Sequence, residues 1–372
     1  MRPDIVVIGG GTVGAAIAYG LALRGERILL LDGDDGDFRA ARANFGLVWL
    51  QGKGLGMPAY QALTRQSVSA WRGFADGLEA QSGTSLCYEQ NGGLAFCLGA
   101  DAFDKRRAAL QRLHNQWDGG EPDWEMLDRP ALARLLPRVA LGPEVAGASF
   151  GRLDGHANPL RLLSALHAAV IRLGGQVRSN AAVREIDGVG PDFRLAVGEE
   201  TIVTPRIVIA AGLGAPALAR QVGLDVPLRP QRGQILVTER LAPFLPLPAS
   251  GLRQTADGTV MIGATNEEVG YDVSTTGDAA ARLSRKALRT VPALAEAALV
   301  RQWAGLRVMT PDSYPVYAQS ESRPGAFVAL CHSGVTLAAF HADGLAGAIA
   351  AGALPDSLSP FHQSRFDVPQ AA

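Results

Sequence analysis

The chain has 372 residues, of which 47% are hydrophobic and 19% are charged, a composition that predicts a compact protein of two domains. Its formal net charge of −1 provides no basic surface for a nucleic acid, so nucleic-acid binding is not expected. The three cysteines lack CxxC spacing, which argues against a metal site and predicts reduced thiols. No apolar run reaches the roughly 18 residues of a membrane span, and the first strand leaves no room for a secretory signal. We therefore expect a cytoplasmic protein without a membrane span.

Residues 4–32 have the pattern of a strand, a glycine turn, a helix and a second strand. In a dinucleotide-binding fold Gly9 permits the tight turn, Gly11 lets a pyrophosphate approach the backbone, and Gly14 lets the helix pack closely. The second strand ends at Asp32, where a carboxylate can accept hydrogen bonds from ribose hydroxyls. The motif does not separate NAD from FAD, although the acid argues against NADP.

The helix of this motif is predicted from about residue 12 to 24, so Thr12 and Val13 are its first residues. The free N–H groups at such a helix start, together with its dipole, attract the phosphates of a dinucleotide. Downstream, the segment 51–56 partly matches a phosphate loop. It fails because Gly54 stands where Ser or Thr should follow Lys53, so no phosphate role is predicted there.

The remaining predicted elements form two groups, one for each domain, and segments of the two groups alternate along the chain. Helices are predicted at 59–81, 104–116, 130–136, 158–173, 276–289 and 335–351. Strands are predicted at 176–179, 206–211, 231–239, 259–264 and 327–330, with a hairpin at 86–98 around Asn91-Gly92-Gly93. We predict an α/β fold of two discontinuous domains. The nucleotide-binding domain comprises 1–82, 147–222 and 303–372, and the α+β substrate domain comprises 83–146 and 223–302.

Several segments, in chain order, resemble the FAD-dependent D-amino acid oxidase superfamily, which includes glycine oxidase and sarcosine oxidase. They are IVVIGGGTVG, RANFGLVW, AAVREI, IVIAAGLGAPALA, RPQRGQ, MIGATNEEVGYD, WAGLRVMTPDSYPVY and CHSGVTLAAFHA. Together they cover nearly the whole chain. Within the superfamily, RANFGLVW and CHSGVTLA are most similar to the flavoprotein subunit of bacterial D-hydroxyproline dehydrogenases.

The resemblance implies a Rossmann-like FAD-binding domain and a substrate domain whose mixed or antiparallel sheet covers the flavin ring. It implies non-covalent FAD, because no cysteine stands near Leu306-Arg307, where monomeric sarcosine oxidase attaches its flavin. A hydroxyl contact to the flavin is expected to be missing, because Ala40 and Ala41 replace the usual Ser or Thr. The implied cofactor-binding residues are Gly9, Gly11, Thr12, Val13, Gly14, Asp32, Asn44, Phe45, Gly46, Val183, Ala211, Gly212, Gly305, Gly334, Val335 and Thr336.

The resemblance also implies a reaction, in which a hydride leaves the substrate Cα for flavin N5 and the resulting imine is hydrolysed. Arg307 would hold the substrate carboxylate as a bidentate cation, and the alternative is a surface or domain-bridging ion pair. Tyr271 would cap the substrate with its hydroxyl, or it is a half-buried strand residue. His332 would act beside the amine or the flavin, or it only packs.

The preferred substrate is a small or cyclic D-amino acid, with D-hydroxyproline as the best candidate. One alternative is a glycine- or sarcosine-type oxidase that releases peroxide. Another is a non-catalytic flavoprotein subunit of a multisubunit dehydrogenase, and an NAD-linked dehydrogenase is a third. The sequence leaves open whether electrons pass to oxygen or to partner subunits, and whether the chain forms oligomers. No hydrolase signature stands out.

Overall fold

The computed structural model describes residues 2–33, 40–117 and 119–367. The helices are α1 (Thr12–Leu23), α2 (Pro58–Ser82), α3 (Ala100–Asn115), α4 (Arg129–Leu135), α5 (Pro159–Arg172), α6 (Ala215–Arg220), α7 (Gly277–Thr290), α8 (Ala338–Phe340) and α9 (Ala346–Ala351). A π-helical turn, His341–Leu345, joins α8 to α9, and short 3-10 helices lie at Gly212–Gly214, Pro292–Glu296, Asp356–Phe361 and Gln363–Phe366.

The strands are β1 (Ile5–Ile8), β2 (Ile28–Leu31), β3 (Leu47–Val48), β4 (Gly93–Leu98), β5 (Trp124–Asp128), β6 (Val145–Gly151), β7 (Gly155–His156), β8 (Gln176–Arg178), β9 (Val183–Val189), β10 (Asp192–Val197), β11 (Glu200–Thr204), β12 (Arg206–Ile209), β13 (Arg229–Arg240), β14 (Leu252–Gln254), β15 (Thr259–Gly263), β16 (Leu299–Met309), β17 (Val316–Gln319) and β18 (Ala326–Leu330). They form sheets of six, four, three, three and two strands.

The six-stranded sheet carries the opening motif. Its order is β17-β18-β12-β1-β2-β8, in which β17 pairs antiparallel and the other neighbours pair parallel. All residues of β1 and β2 are apolar and buried, as is typical of central parallel strands that are covered on both faces. The predicted strand, turn, helix and strand are therefore confirmed, and α1 ends one residue before the predicted position.

The two faces of this sheet have different covers. Ile5 and Val7 of β1 pack into one core with residues of α1, α2 and α5. Val6 and Ile8 point the other way, into a core with α6 and the antiparallel sheet β11-β10-β9. Alternate side chains of one strand thus anchor two layers. The result is a three-layer nucleotide-binding architecture.

A second set of sheets is built mainly from residues predicted for the substrate domain, although most of β6 and most of β16 lie outside that prediction. The sheets β14-β15-β13-β16 and β4-β6-β5 are antiparallel, and a parallel bridge between Leu94 and Ala249 connects them. This confirms the predicted α/β class with mixed and antiparallel sheets. No helix of the described residues is long and apolar enough to cross a membrane.

Some local predictions differ from the structure. The hairpin predicted at 86–98 is wrong, because β4 pairs along its length with β6 and not with the residues before it. Gly92 does turn the chain, with φ +100°, but the turn delivers β4 to a distant strand. The helix predicted from 335 begins at Ala338. The division into two domains stays a prediction, and its boundary between 302 and 303 lies within β16, which pairs with β13 on both sides of that position.

Candidate functional site

The glycine turn, residues 9–14, lies between β1 and α1. A β-carbon on Gly9 would lie 2.4 Å from the Ala210 carbonyl oxygen, and one on Gly14 would lie 2.0 Å from the Gly9 carbonyl oxygen. Glycine is therefore required at both positions for close packing of strand, helix and turn. Gly11 is different, because among the described residues a β-carbon there would meet only the Ala41 Cβ, at 3.9 Å. The rest of the described chain leaves the space in front of Gly11 open.

The acid at the end of β2 lies against this turn. The Gly10 N–H donates a hydrogen bond of 3.0 Å to Asp32 Oδ1, and the carboxylate is largely buried. The Asp32 carbonyl accepts the Ala181 N–H at 2.7 Å, which brings the start of β9 and Val183 to the same place. Ala211 and Gly212 follow β12 and lie beside Gly9, whose β-carbon would be 2.8 Å from the Ala211 Cα. The residues predicted to contact the adenosine end of a dinucleotide therefore lie close together.

A cavity of about 270 Å³ lies between the two sheet systems. Its walls come from six separate stretches of the chain, which the sequence alone could not place together. The lining residues are Ala40, Ala43, Asn44, Phe45, Leu47, Trp49, Lys53, Gly233, Ile235, Ser250, Ala264, Gly305, Leu306, Arg307, His332, Ser333, Val335 and Thr336. Of the residues predicted for the flavin, Asn44, Phe45, Gly305, Val335 and Thr336 are among them.

The loop between β18 and α8 connects the cavity to the glycine turn. A β-carbon on Gly334 would lie 3.3 Å from the Val13 Cγ2, so the two turns are in contact. The Thr336 hydroxyl accepts the Trp49 N–H at 3.2 Å and donates to the Leu47 carbonyl at 3.2 Å. These bonds fix the loop against the segment that follows the predicted flavin residues 44–46. Gly46, at φ +84°, is held where a β-carbon would collide with the Ala157 carbonyl.

Arg307 reaches the cavity from β16. Its Nη2 donates to the Thr265 carbonyl at 2.9 Å, and its Nη1 donates to Gln231 Oε1 at 3.3 Å. A β-carbon on Gly233 would lie 2.7 Å from the guanidinium, so the absent side chain on the neighbouring strand makes room for it. Burial lowers the pKa of Arg307, but a guanidinium remains charged. In the described part of the chain no carboxylate lies within 4.0 Å of it.

Lys53 and His332 lie at the same cavity. The Lys53 Nζ donates to Ser333 Oγ at 2.9 Å and lies 3.5 Å from His332 Nε2. Burial lowers the pKa of Lys53 to about 8, with a contribution from the charge of Arg307. Burial, with the charges of Lys53 and Arg307, lowers the pKa of His332 to about 3. At neutral pH the site therefore contains two cations and an uncharged imidazole.

Of the three residues predicted for catalysis, the structure brings Arg307 and His332 together and leaves Tyr271 outside. Tyr271 is 68% exposed in the loop after β15 and is not among the residues that line the cavity. Sequence reasoning missed Lys53, Ser333 and Gly233. The sequence does show Lys53 between two glycines in an apolar segment. This pattern was considered only as a phosphate loop, which the segment does not match. The roles of the predicted residues stay predictions.

The glycine turn has the properties that a bound dinucleotide requires. The start of α1 has no side-chain cap and no acidic residue in its first turn, so its N–H groups and dipole face the open space before Gly11. Within the described ranges, the buried Thr12 Oγ1 has no hydrogen-bond partner, as expected of a group that awaits a phosphate. Asp32 lies beside this space. The residues present fit FAD at the adenine dinucleotide end.

Comparison with known proteins gives a family and several relatives. The model of the FAD dependent oxidoreductase (DAO) family matches residues 4–348. The B subunit of opine oxidase from Agrobacterium tumefaciens (strain Ach5) is 44% identical over 369 residues and that from Rhizobium meliloti 42% over 368 residues, each covering 99% of both chains. The solved structure of glycine oxidase from Geobacillus kaustophilus has a TM-score of 0.88 at 24% identity and covers 98% of this chain and 99% of that chain. That structural likeness concerns the fold.

Proposed function

Since the chain belongs to the family of FAD-dependent oxidoreductases that includes D-amino acid oxidase, we propose that it oxidises the CH–NH bond of a small amino acid whose carboxylate binds Arg307. The membership confirms the superfamily predicted from the sequence, and with it an FAD-dependent enzyme of amine or amino acid oxidation. The observation that carries the proposal is the Arg307 guanidinium, which lies at the cavity and, among the residues that the structure describes, donates hydrogen bonds only to neutral oxygens.

The chemistry divides between cofactor and protein. FAD, when bound, supplies the acceptor for a hydride and thus for two electrons. The substrate C–H bond breaks with its electron pair, the nitrogen releases a proton, and a C=N bond forms that water then hydrolyses. Arg307 would fix the substrate through two parallel hydrogen bonds to its carboxylate, which orients the neighbouring C–H bond. The uncharged His332 would accept a hydrogen bond from the amine without repelling it.

In this proposal the protein holds the cofactor through backbone N–H groups and one carboxylate. Gly11 and the first N–H groups of α1 would bind the pyrophosphate, Asp32 would bind the ribose, and residues 334–336 would face the flavin ring. The attachment would be non-covalent, because no cysteine is among the residues that line the cavity.

The substrate carries, in our proposal, a secondary amine. D-Hydroxyproline remains the candidate from the sequence resemblance, and the names of the relatives point to an opine. Those relatives are named as components of an oxidase with more than one kind of chain, which supports a role for this chain within a larger enzyme. Electrons would then leave the reduced flavin for a partner protein in place of oxygen.

Anaerobic reduction of the FAD-loaded protein tests the proposal. We expect one or more of D-hydroxyproline, L-hydroxyproline, sarcosine, iminodiacetate and an opine to bleach the flavin absorption band, while acetate does not. Peroxide release compared with reduction of an artificial dye then distinguishes oxygen from a protein acceptor. A protein whose flavin is reduced by dithionite but by none of these amines would contradict the proposal.

A further inference from the structure

Two cations line a cavity for which the proposed reaction needs only one. Arg307 reaches the cavity from β16, and Lys53 reaches it from the turn that follows β3. An ordinary amino acid has a single carboxylate, and Arg307 is sufficient for it. A second cation at a cavity that must also receive a substrate is costly, because like charges repel and burial disfavours both. Lys53 therefore calls for a ligand of its own.

The partners of the Lys53 ammonium are uncharged. Its Nζ donates to Ser333 Oγ at 2.9 Å, and His332 Nε2 lies 3.5 Å away. Ser333 Oγ also accepts a hydrogen bond of 3.0 Å from the Tyr60 hydroxyl, so this oxygen already has a second donor. Across residues 2–33, 40–117 and 119–367 no carboxylate lies within 4.0 Å of Lys53. An ammonium has three donors, and an incoming carboxylate would supply both the charge and the acceptors.

Asp154, an acid whose charge acts on Lys53, is hydrogen-bonded to other groups. Asp154 is fully buried, and its carboxylate accepts the Leu50 N–H at 2.5 Å and the Gln51 Nε2 at 2.6 Å. Its hydrogen bonds thus hold the backbone that precedes Lys53 and do not reach the ammonium. Burial raises the pKa of Asp154 to about 7, which further reduces its value as a counter-charge.

The turn that carries Lys53 is fastened on several sides. Gln116 donates to the Gly54 carbonyl at 2.5 Å and accepts the Gly56 N–H at 2.9 Å, while the Tyr314 hydroxyl donates to the Leu55 carbonyl at 2.7 Å. Gly54 at φ +82° packs so closely on Gln61 that a β-carbon would lie 2.4 Å from its backbone nitrogen. A cation on a fixed turn is preorganised, and preorganisation is what a specific ligand contact requires.

We propose that Lys53 binds a second carboxylate of the substrate, so that the substrate is an amino diacid with one acid group held by Arg307 and the other by Lys53. The amine lies between the two acid groups, and the bond to be oxidised lies between the cations. This inference rests on the proposed function and names the substrate class of the same site. It also gives Lys53 a role in specificity, because a monocarboxylate would leave the ammonium unpaired.

Two ligand pairs that differ by a single carboxylate test the inference. Thiodiacetate and (methylthio)acetate replace the amine by sulfur and cannot form an imine, so the FAD-loaded protein only binds them. We expect thiodiacetate to bind about tenfold more tightly, as measured by calorimetry and by the change in flavin absorption. In Lys53→Met this preference disappears while the affinity for (methylthio)acetate is unchanged.

Variants at other charges serve as controls. Lys105, an exposed lysine on α3, has no place at the cavity, so Lys105→Met keeps the preference. Lys53→Arg retains the positive charge and should keep at least part of the preference for thiodiacetate. The preference of the unaltered protein needs no variant, so the inference stays testable if Lys53→Met fails to fold. The inference is overturned if the unaltered protein binds thiodiacetate and (methylthio)acetate with equal affinity. It is also overturned if Lys53→Met lowers the affinity for both ligands by the same factor.

Turnover separates this inference from the proposed function. With iminodiacetate and sarcosine, which also differ by one carboxylate, Lys53→Met should raise the KM for iminodiacetate about tenfold more than the KM for sarcosine, a loss in KM and not in kcat. A fall in kcat with both amines would assign Lys53 to the chemical step and overturn the inference. A thiodiacetate preference without oxidation of any amine would leave the diacid site standing and remove the proposed reaction.

Discussion

The glycine turn and the cavity of Arg307 and Lys53 are built in opposite ways. The turn is made by six consecutive residues, and it offers mainly backbone N–H groups whose positions follow from one strand and one helix. The cavity is made by residues from six separate stretches, which meet only because the two sheet systems pack together. The first kind of site is encoded locally, whereas the second depends on the whole fold. Each prediction below changes one side of this contrast.

The largest effect is expected at Arg307. Arg307→Ala removes two charge-assisted hydrogen bonds to the substrate carboxylate, so kcat/KM for the best amine should fall about a hundredfold or more. The loss is measured by steady-state kinetics and by the rate of anaerobic flavin bleaching. Arg301→Ala is the matched control, because Arg301 lies on the same strand with its side chain exposed. Equal losses in the two variants would remove Arg307 from the substrate site.

The substitutions Gly11→Ala and Gly14→Ala distinguish an effect on cofactor binding from an effect on folding. Gly11 has extended backbone angles and open space, so alanine should leave the melting temperature of the FAD-free protein unchanged. It should weaken FAD binding about tenfold or more, because the methyl group enters the space predicted for the pyrophosphate. Gly14→Ala should lower both, because its β-carbon would overlap the Gly9 carbonyl. Fluorescence titration with FAD and thermal melts provide the readouts, and unchanged FAD affinity in Gly11→Ala would place the cofactor elsewhere.

The diacid preference should depend on pH with a definite sign. The pKa of Lys53 is lowered to about 8, so above that pH the free ammonium loses its proton and the thiodiacetate advantage falls up to about tenfold per pH unit. The charged and titratable groups around it are Arg307, His332, Cys331, Asp154 and, through Ser333, Tyr60. Burial raises the pKa of Cys331 to about 12, lowers that of His332 to about 3 and raises that of Asp154 to about 7. Titrations between about pH 8 and 9.5 therefore isolate Lys53, and a constant advantage there would contradict its role.

The smallest effect is expected at Tyr271. Because its ring is 68% exposed and outside the cavity walls, Tyr271→Phe should change KM and kcat less than about twofold. Steady-state kinetics with the best amine checks this. A KM raised severalfold would mean that the Tyr271 hydroxyl caps the substrate, as the sequence analysis predicted in one of its two alternatives.

The sequence predicts the parts of this molecule that depend on short spacings. The residues of the glycine turn, Asp32 at the end of β2 and the capping Asn158 before α5 are each defined by neighbours within a few positions. The resemblance added Arg307, whose position relative to the cavity no periodicity could give. Lys53 was not predicted as a site residue, because its place in the site depends on contacts with Ser333 and His332, about 280 residues away along the chain. The same reason explains the wrong hairpin, since Gly92 signals a bend but not the identity of the pairing strand.

The order of the six-stranded sheet has a consequence for biosynthesis. The strand that leads into the glycine turn is synthesised first, yet it pairs with residues 206–209, and these in turn pair with residues 326–330. A ribosome must therefore translate most of the message before the opening motif gains its neighbours. Capture of FAD is accordingly expected only after residues 326–330 have left the ribosome, and fragments that end before residue 326 should stay flavin-free and depend on chaperones.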